Sequence, residues 1–268
     1  MLGAVRSEFR KFFTTRMWWG MAIGIFLAGG AFAALFAFAL TRTNGAFGEQ
    51  GVPTGSATQI ANTVYTGGIN VGLLLMLTIG VMQIGSEYRH KTISGTFLAT
   101  PKRLEAMLAK VVALLGIGVL YGLISLVGSF GVGAIVLHAR GHAVLPSNEV
   151  YRSLALSLLV LGLWALIGLG IGILIPNQVA ALLIGIGVAW IVEPIITLVM
   201  GLLWTWGRDH VVPYMPSQAT SAVINGVTRS GANAAPQLSW WAASLVLVAW
   251  AAALSGFGIW RTTRQDIS

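Results

Sequence analysis

Residues able to do chemistry are scarce in this 268-residue sequence, and where they sit is more informative than their number. It has no cysteine, four histidines, and eight aspartates and glutamates against sixteen lysines and arginines. The missing thiol removes disulfides, thiolate metal sites and cysteine nucleophiles. His138-Ala-Arg-Gly-His142 has an i, i+4 spacing compatible with a metal, but Gly141 lies between them and Glu149 is distant. An incidental polar loop is the better reading. Gly80-Val-Met-Gln-Ile-Gly85-Ser86-Glu87 imitates a phosphate loop in glycine spacing only. The lysine that would meet phosphates is absent and Glu87 would repel them, so no nucleotide site is read here. Glu193 is different. It stands in an apolar run, Ala189-Trp-Ile-Val-Glu-Pro-Ile-Ile, where a mid-membrane charge costs about 2.5–3.5 kcal/mol on insertion scales. It must therefore face protein or water. Pro194 removes a helical amide and should kink or end the helix there. Glu193 and Pro194 are candidates for a pathway or gate; the alternative is a chain break into a re-entrant segment whose freed amides Glu193 satisfies.

The elements that must position these groups are membrane spans. Apolar residues make up 56% of the chain and charged ones 9%, where a soluble domain carries about 25% charged. A span needs roughly 20 apolar residues, and six runs qualify: 17–41, 66–85, 107–137, 152–175, 179–204 and 239–260. The second begins with polar Thr66 and Asn70, so its outer end is vague. The third is longer than one crossing requires. Pro176-Asn177-Gln178 reads as a tight turn between the fourth and fifth. Gly20-x-x-x-Gly24 and Gly118-x-x-x-Gly122 offer close helix approach without implying function. Ten tryptophans fall mostly near span ends, as interfacial anchors. The first run starts only at Met17 and is long enough to span, so no cleaved signal peptide is expected. With the N-terminus inside, eleven of the sixteen lysines and arginines lie on the cytoplasmic side and five outside, so both termini are expected in the cytoplasm. The net charge of +8 sits in these short connectors, which suits anionic lipid rather than nucleic acid.

Two segments on that side stand out. Residues 1–16 place Leu2, Val5, Phe9, Phe12 and Phe13 at helical spacing, with Arg6, Glu8, Arg10, Lys11 and Arg16 on the other faces. This predicts an interfacial amphipathic helix with its apolar side toward the acyl chains. The stretch from Glu87 to Lys110 holds eight Lys, Arg, Glu or His residues yet keeps Ile93, Phe97 and Leu98. A mere connector needs only a handful of residues; this one reads either as a short helix that docks on something polar or as a solvated loop that only sets topology.

Val5-Arg-Ser-Glu8-Phe-Arg-Lys11-Phe-Phe-Thr-Thr-Arg16-Met-Trp-Trp19 resembles the opening of actinobacterial ABC-2-type permeases. Glu87-Tyr-Arg89-His-Lys-Thr92, through Gly95-Thr96 to Thr100-Pro101-Lys-Arg103, resembles the same family's second-span exit and coupling loop, and Trp260-Arg261-Thr-Thr-Arg264-Gln-Asp266 its basic tail. Lys91 departs from the pattern, since many relatives carry Gly before the Thr. The resemblance implies one all-α integral membrane domain over 1–268. It would have six transmembrane helices, an amphipathic elbow helix (1–16), a coupling loop (86–106) and an extracellular segment (205–238), re-entrant before the last span. It further implies a permease subunit of an ATP-driven exporter in the plasma membrane. Its partners would be two ABC ATPase subunits holding ATP and Mg, a second permease (expected to be another copy) and the lipid bilayer, with no cofactor on this chain and no nucleic acid. Coupling to the ATPase falls to Glu8, Lys11, Glu87, Arg89, Thr92, Thr100, Pro101 and Arg103. Cargo would be amphipathic or apolar, because the spans offer few ion ligands. A sodium-efflux permease using Glu193 is the nearest alternative. An intramembrane enzyme would need a catalytic constellation, and Glu193 stands alone. A structural anchor for a signalling ATPase is a fourth possibility.

Overall fold

A computed structural model describes residues 1–41, 56–99, 102–224 and 236–264. All its regular elements are helices. Helix α1 (Leu2–Thr14) precedes the first span, α2 (Met17–Leu40). The second span joins α3 (Ala57–Thr66) to α4 (Ile69–Arg89); a short α5 (Ile93–Ala99) leads into α6 (Arg103–Ala139) and then α7 (Asn148–Leu174). The fifth span runs through α8 (Gln178–Gly187), a π-helical turn (Val188–Val192) and α9 (Glu193–Leu203). Short α10 (Thr205–His210) and α11 (Pro216–Ile224) follow, and α12 (Trp240–Arg264) closes the bundle. Six helical stretches are long and apolar enough to cross a membrane, in the order expected.

Local chemistry sets several of the boundaries. Ser56 and Gln59 form a reciprocal capping box that starts α3 well before the expected Thr66. The second span is therefore longer than its apolar run. The break at Gly67-Gly68 is a packing requirement: a Cβ on Gly68 would lie 2.7 Å from the Gly29 Cα of α2. Asn177 caps α8 by accepting from the amides of Val179 and Ala180, which explains the abrupt turn at 176–178. Pro194 does not end the fifth span, which continues to Leu203. The Glu193 amide instead bonds the Val188 carbonyl five residues back, and this wider turn absorbs the proline.

The bundle centres on α4 and α7. Their backbones touch: a Cβ on Gly80 would lie 2.0 Å from the Ala165 oxygen, and one on Gly168 2.1 Å from the Leu77 oxygen. Gly118 and Gly122 likewise press α6 against Gly162 and Leu158 of α7, whereas nothing approaches Gly20. Identical spacing in sequence thus has two meanings. Helix α1 also departs from the simple lipid-facing reading. Its Phe12 is buried edge-on to Tyr121 of α6, Glu8 is buried beside it, and Leu2 is exposed.

Candidate functional site

Helix α1, α5 and the Arg264 end of α12 lie at one end of the bundle, which follows from an even number of crossings. Here four charged side chains close into a ring. Lys11 Nζ is 2.7 Å from Glu8 Oε1 and 2.7 Å from Glu87 Oε1. Lys110 Nζ is 2.8 Å from Glu8 Oε2 and 2.6 Å from Glu87 Oε1. Each cation bridges both anions, so the ring is neutral. Gln83 donates to Glu8 Oε2 at 3.0 Å, and the Thr96 hydroxyl donates to Glu87 Oε2 at 3.4 Å. The contributing elements are α1 and, far from it in sequence, the three consecutive helices α4, α5 and α6.

Burial makes this arrangement consequential. Lys110 is 1% exposed, and Glu8 and Glu87 are nearly as enclosed. A buried ion pair gains little net stability, but removing one member leaves an uncompensated charge and costs roughly 3–5 kcal/mol. Burial pushes the Glu8 carboxyl up, yet the Lys110 charge and the hydrogen bonds from Lys11 and Lys110 outweigh it and hold it below its ordinary value. Burial likewise pulls Lys11 down, while its hydrogen bonds to Glu8 and Glu87 and their charges raise it above its ordinary value. At neutral pH these two are charged, and the ring is a rigid electrostatic joint.

The structure brings together three of the expected coupling residues, Glu8, Lys11 and Glu87, and turns the two carboxylates inward. Arg89 and Thr92 stay exposed at the exit of α4, and the Thr92 amide bonds the Glu87 carbonyl at 2.9 Å. Arg103 stacks over Phe97 at 5.5 Å from the ring centroid. Thr100 and Pro101 lie outside the described residues. Sequence reading counted Lys110 among the orienting charges and as the last charge of the Glu87–Lys110 stretch, but gave no site role to it, to Gln83 or to Thr96. A usable signal existed: Glu87 and Lys110 are opposite charges at the two span ends flanking the loop, facing a Glu8/Lys11 pair three residues apart.

At the other end, Glu193 is 7% exposed and its Oε1 accepts the Ser217 amide at 2.7 Å, at the start of α11. The α11 segment folds back into the bundle. Glu193 lies ten residues before Leu203, about 15 Å along the helix. The Trp164 indole donates to Thr220 at 2.9 Å, and Trp250 to the Tyr214 carbonyl at 2.9 Å. Ala219, Thr220 and Val223 are buried there. Among the described residues no three His, Asp or Glu side chains converge to hold a metal.

A comparison with curated proteins returned no match. A family model described as "ABC-2 family transporter protein" matches residues 4–205, from α1 through the fifth span. That match covers well over half of the chain and contains the entire ion ring, so the chain belongs to the ABC-2 transporter family and is the membrane-spanning permease subunit of an ABC transporter.

Proposed function

We propose that this permease exports an amphipathic or apolar compound, with α5 and α1 as the elements pushed by the ATPase and the ion ring as the joint that passes the push on. The observation that carries the reading is the ring itself. A helix docked on lipid alone would not place Glu8 against Lys110 at 2.8 Å inside the bundle. In this reading Glu8, Lys11 and Glu87 act from within, while Arg89, Thr92 and Arg103, with Thr100 and Pro101, belong to the outward side of the coupling segment. The terminal end is then cytoplasmic, the membrane is the plasma membrane, and two ATPase subunits serve a permease dimer built from two copies of this chain. ATP and Mg stay on the ATPase.

Glu193 and Pro194 act at the opposite gate. The carboxylate holds the N-terminus of α11, and the π turn before it supplies the place where the fifth span can change pitch. Spans with so few ionisable groups suit cargo that needs no ion ligands. The test is reconstitution with the ATPase in proteoliposomes. Efflux of amphipathic compounds should require ATP on the terminal side and stop when Lys110→Met opens the ring. ATP-driven accumulation in the reverse direction, or sodium efflux lost in Glu193→Gln, would refute the reading.

A further inference from the structure

Helix α1 has two sides with different surroundings. Its inner side is committed to the protein: Glu8 and Lys11 enter the ring, Phe12 is buried edge-on to Tyr121, and Phe9 packs against the core. Leu2, Arg6, Arg10 and Phe13 share the other side at helical spacing, and all four are exposed. Two arginines one turn apart are thus interleaved with apolar side chains rather than opposed to them. Among the described residues at this end, the carboxylates of Glu8, Glu87 and Glu105 are each paired within the chain, the last with the Met1 ammonium. None of them meets Arg6 or Arg10.

A second observation sets the depth of this face. The Phe13 ring meets Trp18 edge-on at 5.6 Å between centroids. Trp18 and Trp19 are exposed at the start of α2, and Ile23, Phe26 and Leu27 continue its exposed surface. The outer side of α1 therefore runs without a break into the lipid-facing side of the first span, at the level where tryptophans anchor a helix among headgroups. The anions found at that depth are lipid phosphates.

We propose that Arg6 and Arg10 clamp the phosphate of an anionic phospholipid, with Leu2 and Phe13 against its acyl chains. The planar guanidinium fork matches phosphate oxygens two at a time, and the arginine stems lie along apolar neighbours while their heads reach the phosphate. A zwitterionic headgroup neutralises its own phosphate, so the clamp selects a lipid with net negative charge. A soluble partner carrying acidic groups fits less well, because it would have to bring them to the level of Trp18 and Trp19, inside the headgroup layer. The lipid then holds α1 from outside while the ring holds it from inside, and headgroup charge becomes a condition on the helix that carries Glu8 and Lys11.

The experiment titrates the purified permease, in neutral detergent micelles, with phosphatidylglycerol or phosphatidylcholine and follows thermal unfolding by tryptophan fluorescence. A ligand that binds only the folded state raises the midpoint according to its affinity. Phosphatidylglycerol should raise it further than phosphatidylcholine does. At about fivefold in affinity per basic side chain near a lipid surface, the double variant Arg6→Gln/Arg10→Gln should need roughly twenty-five-fold more phosphatidylglycerol for the same rise. Its midpoint in phosphatidylcholine should match wild type, because both side chains are exposed; that match separates a lost lipid from a lost fold. Arg6→Lys/Arg10→Lys keeps the charge without the fork and should recover part of the response. Lys91→Gln/Lys102→Gln removes the same charge from exposed positions on either side of α5 and should respond like wild type. Equal phosphatidylglycerol responses in wild type and Arg6→Gln/Arg10→Gln would overturn the proposal. So would an equal loss in the Lys91 and Lys102 variant, which would reduce the effect to net charge. Loss of ATPase binding in Arg6→Gln/Arg10→Gln with its lipid response intact would also overturn it, and would assign the face to a protein.

Discussion

Replacing Lys110 with methionine tests whether the ring is one electrostatic unit. Its ammonium lies 2.6 Å from Glu87 and 2.8 Å from Glu8. At an effective dielectric near 20, each contact has a gross attraction of about 6 kcal/mol. Most of that is offset by the desolvation of the ions, several kcal/mol apiece. Methionine fills a similar volume and removes the ammonium's own desolvation. What remains is a defect in the partners: two buried carboxylates share only Lys11, whose side chain is 39% exposed. The expected loss is about 3–5 kcal/mol. Adding Glu87→Gln restores one anion to one cation and should recover at least half of it. The cycle of Lys110→Met, Glu87→Gln and the double variant reads the coupling directly. Reversible unfolding in mixed micelles, followed by tryptophan fluorescence, supplies the free energies. A loss under about 1 kcal/mol for Lys110→Met, or singles that simply add, would refute the idea of a closed, dry ring.

Other outcomes follow from the same geometry. Glu8 is held below its ordinary carboxylate value of 4.5, so its stabilisation is complete above that value and lost as pH falls through the lower folded value. Lys11 is raised above 10.5, so its share is lost only as pH rises through the still higher folded value. Melting temperature should be flat between these limits on their account, and Glu8→Gln should blunt the acid limb. Glu193→Gln keeps an acceptor for the Ser217 amide and should cost little, whereas Glu193→Ala should cost about 1–2 kcal/mol, the scale of a lost cap. Equal losses on calorimetry would remove the capping role. Gly168→Leu must displace α4 backbone and should abolish folded monomer on size exclusion, while Gly20→Leu, with open space around it, should not. Trp164→Phe removes the donor to buried Thr220 and should destabilise by about 1–3 kcal/mol in the same unfolding assay.

Span number and order were legible because the bilayer demands long apolar helices, and that demand is written residue by residue. The ends were less legible. Capping by Ser56 and Gln59 lengthens the second span beyond its apolar run, because a capping box is polar by nature and reads as loop in a hydropathy scan. Residues of the ring were half visible: Glu8, Lys11 and Glu87 stood out through family resemblance, but their direction did not. A helical wheel puts Glu8 on the wet face because it assumes lipid as the only apolar neighbour. Lys110, one hundred and two residues away and fully enclosed, reverses that assignment. Long-range pairing of charges has no periodicity to betray it. The same holds for glycine: Gly20 and Gly118 look alike in sequence, and only the helix that happens to cross at Gly118 gives it work.

The two polar sites sit at opposite ends of the bundle, yet a short list of stiff contacts joins them. Glu87 belongs to α4; α4 meets α7 backbone to backbone at Gly80 and Gly168; and the Trp164 indole of α7 holds Thr220 of α11. Helix α11 begins at the amide held by Glu193. Close-packed contacts of this kind resist compression and move as bodies. Contiguity by itself carries no signal between sites; an element with a second arrangement must be present. Along this route the helices are regular until the π turn at Val188–Val192, whose extra residue can be passed along the helix without breaking it. A neutral ring at one end and a π turn beside a single carboxylate at the other are the stiff and the compliant ends that the proposed lever would need.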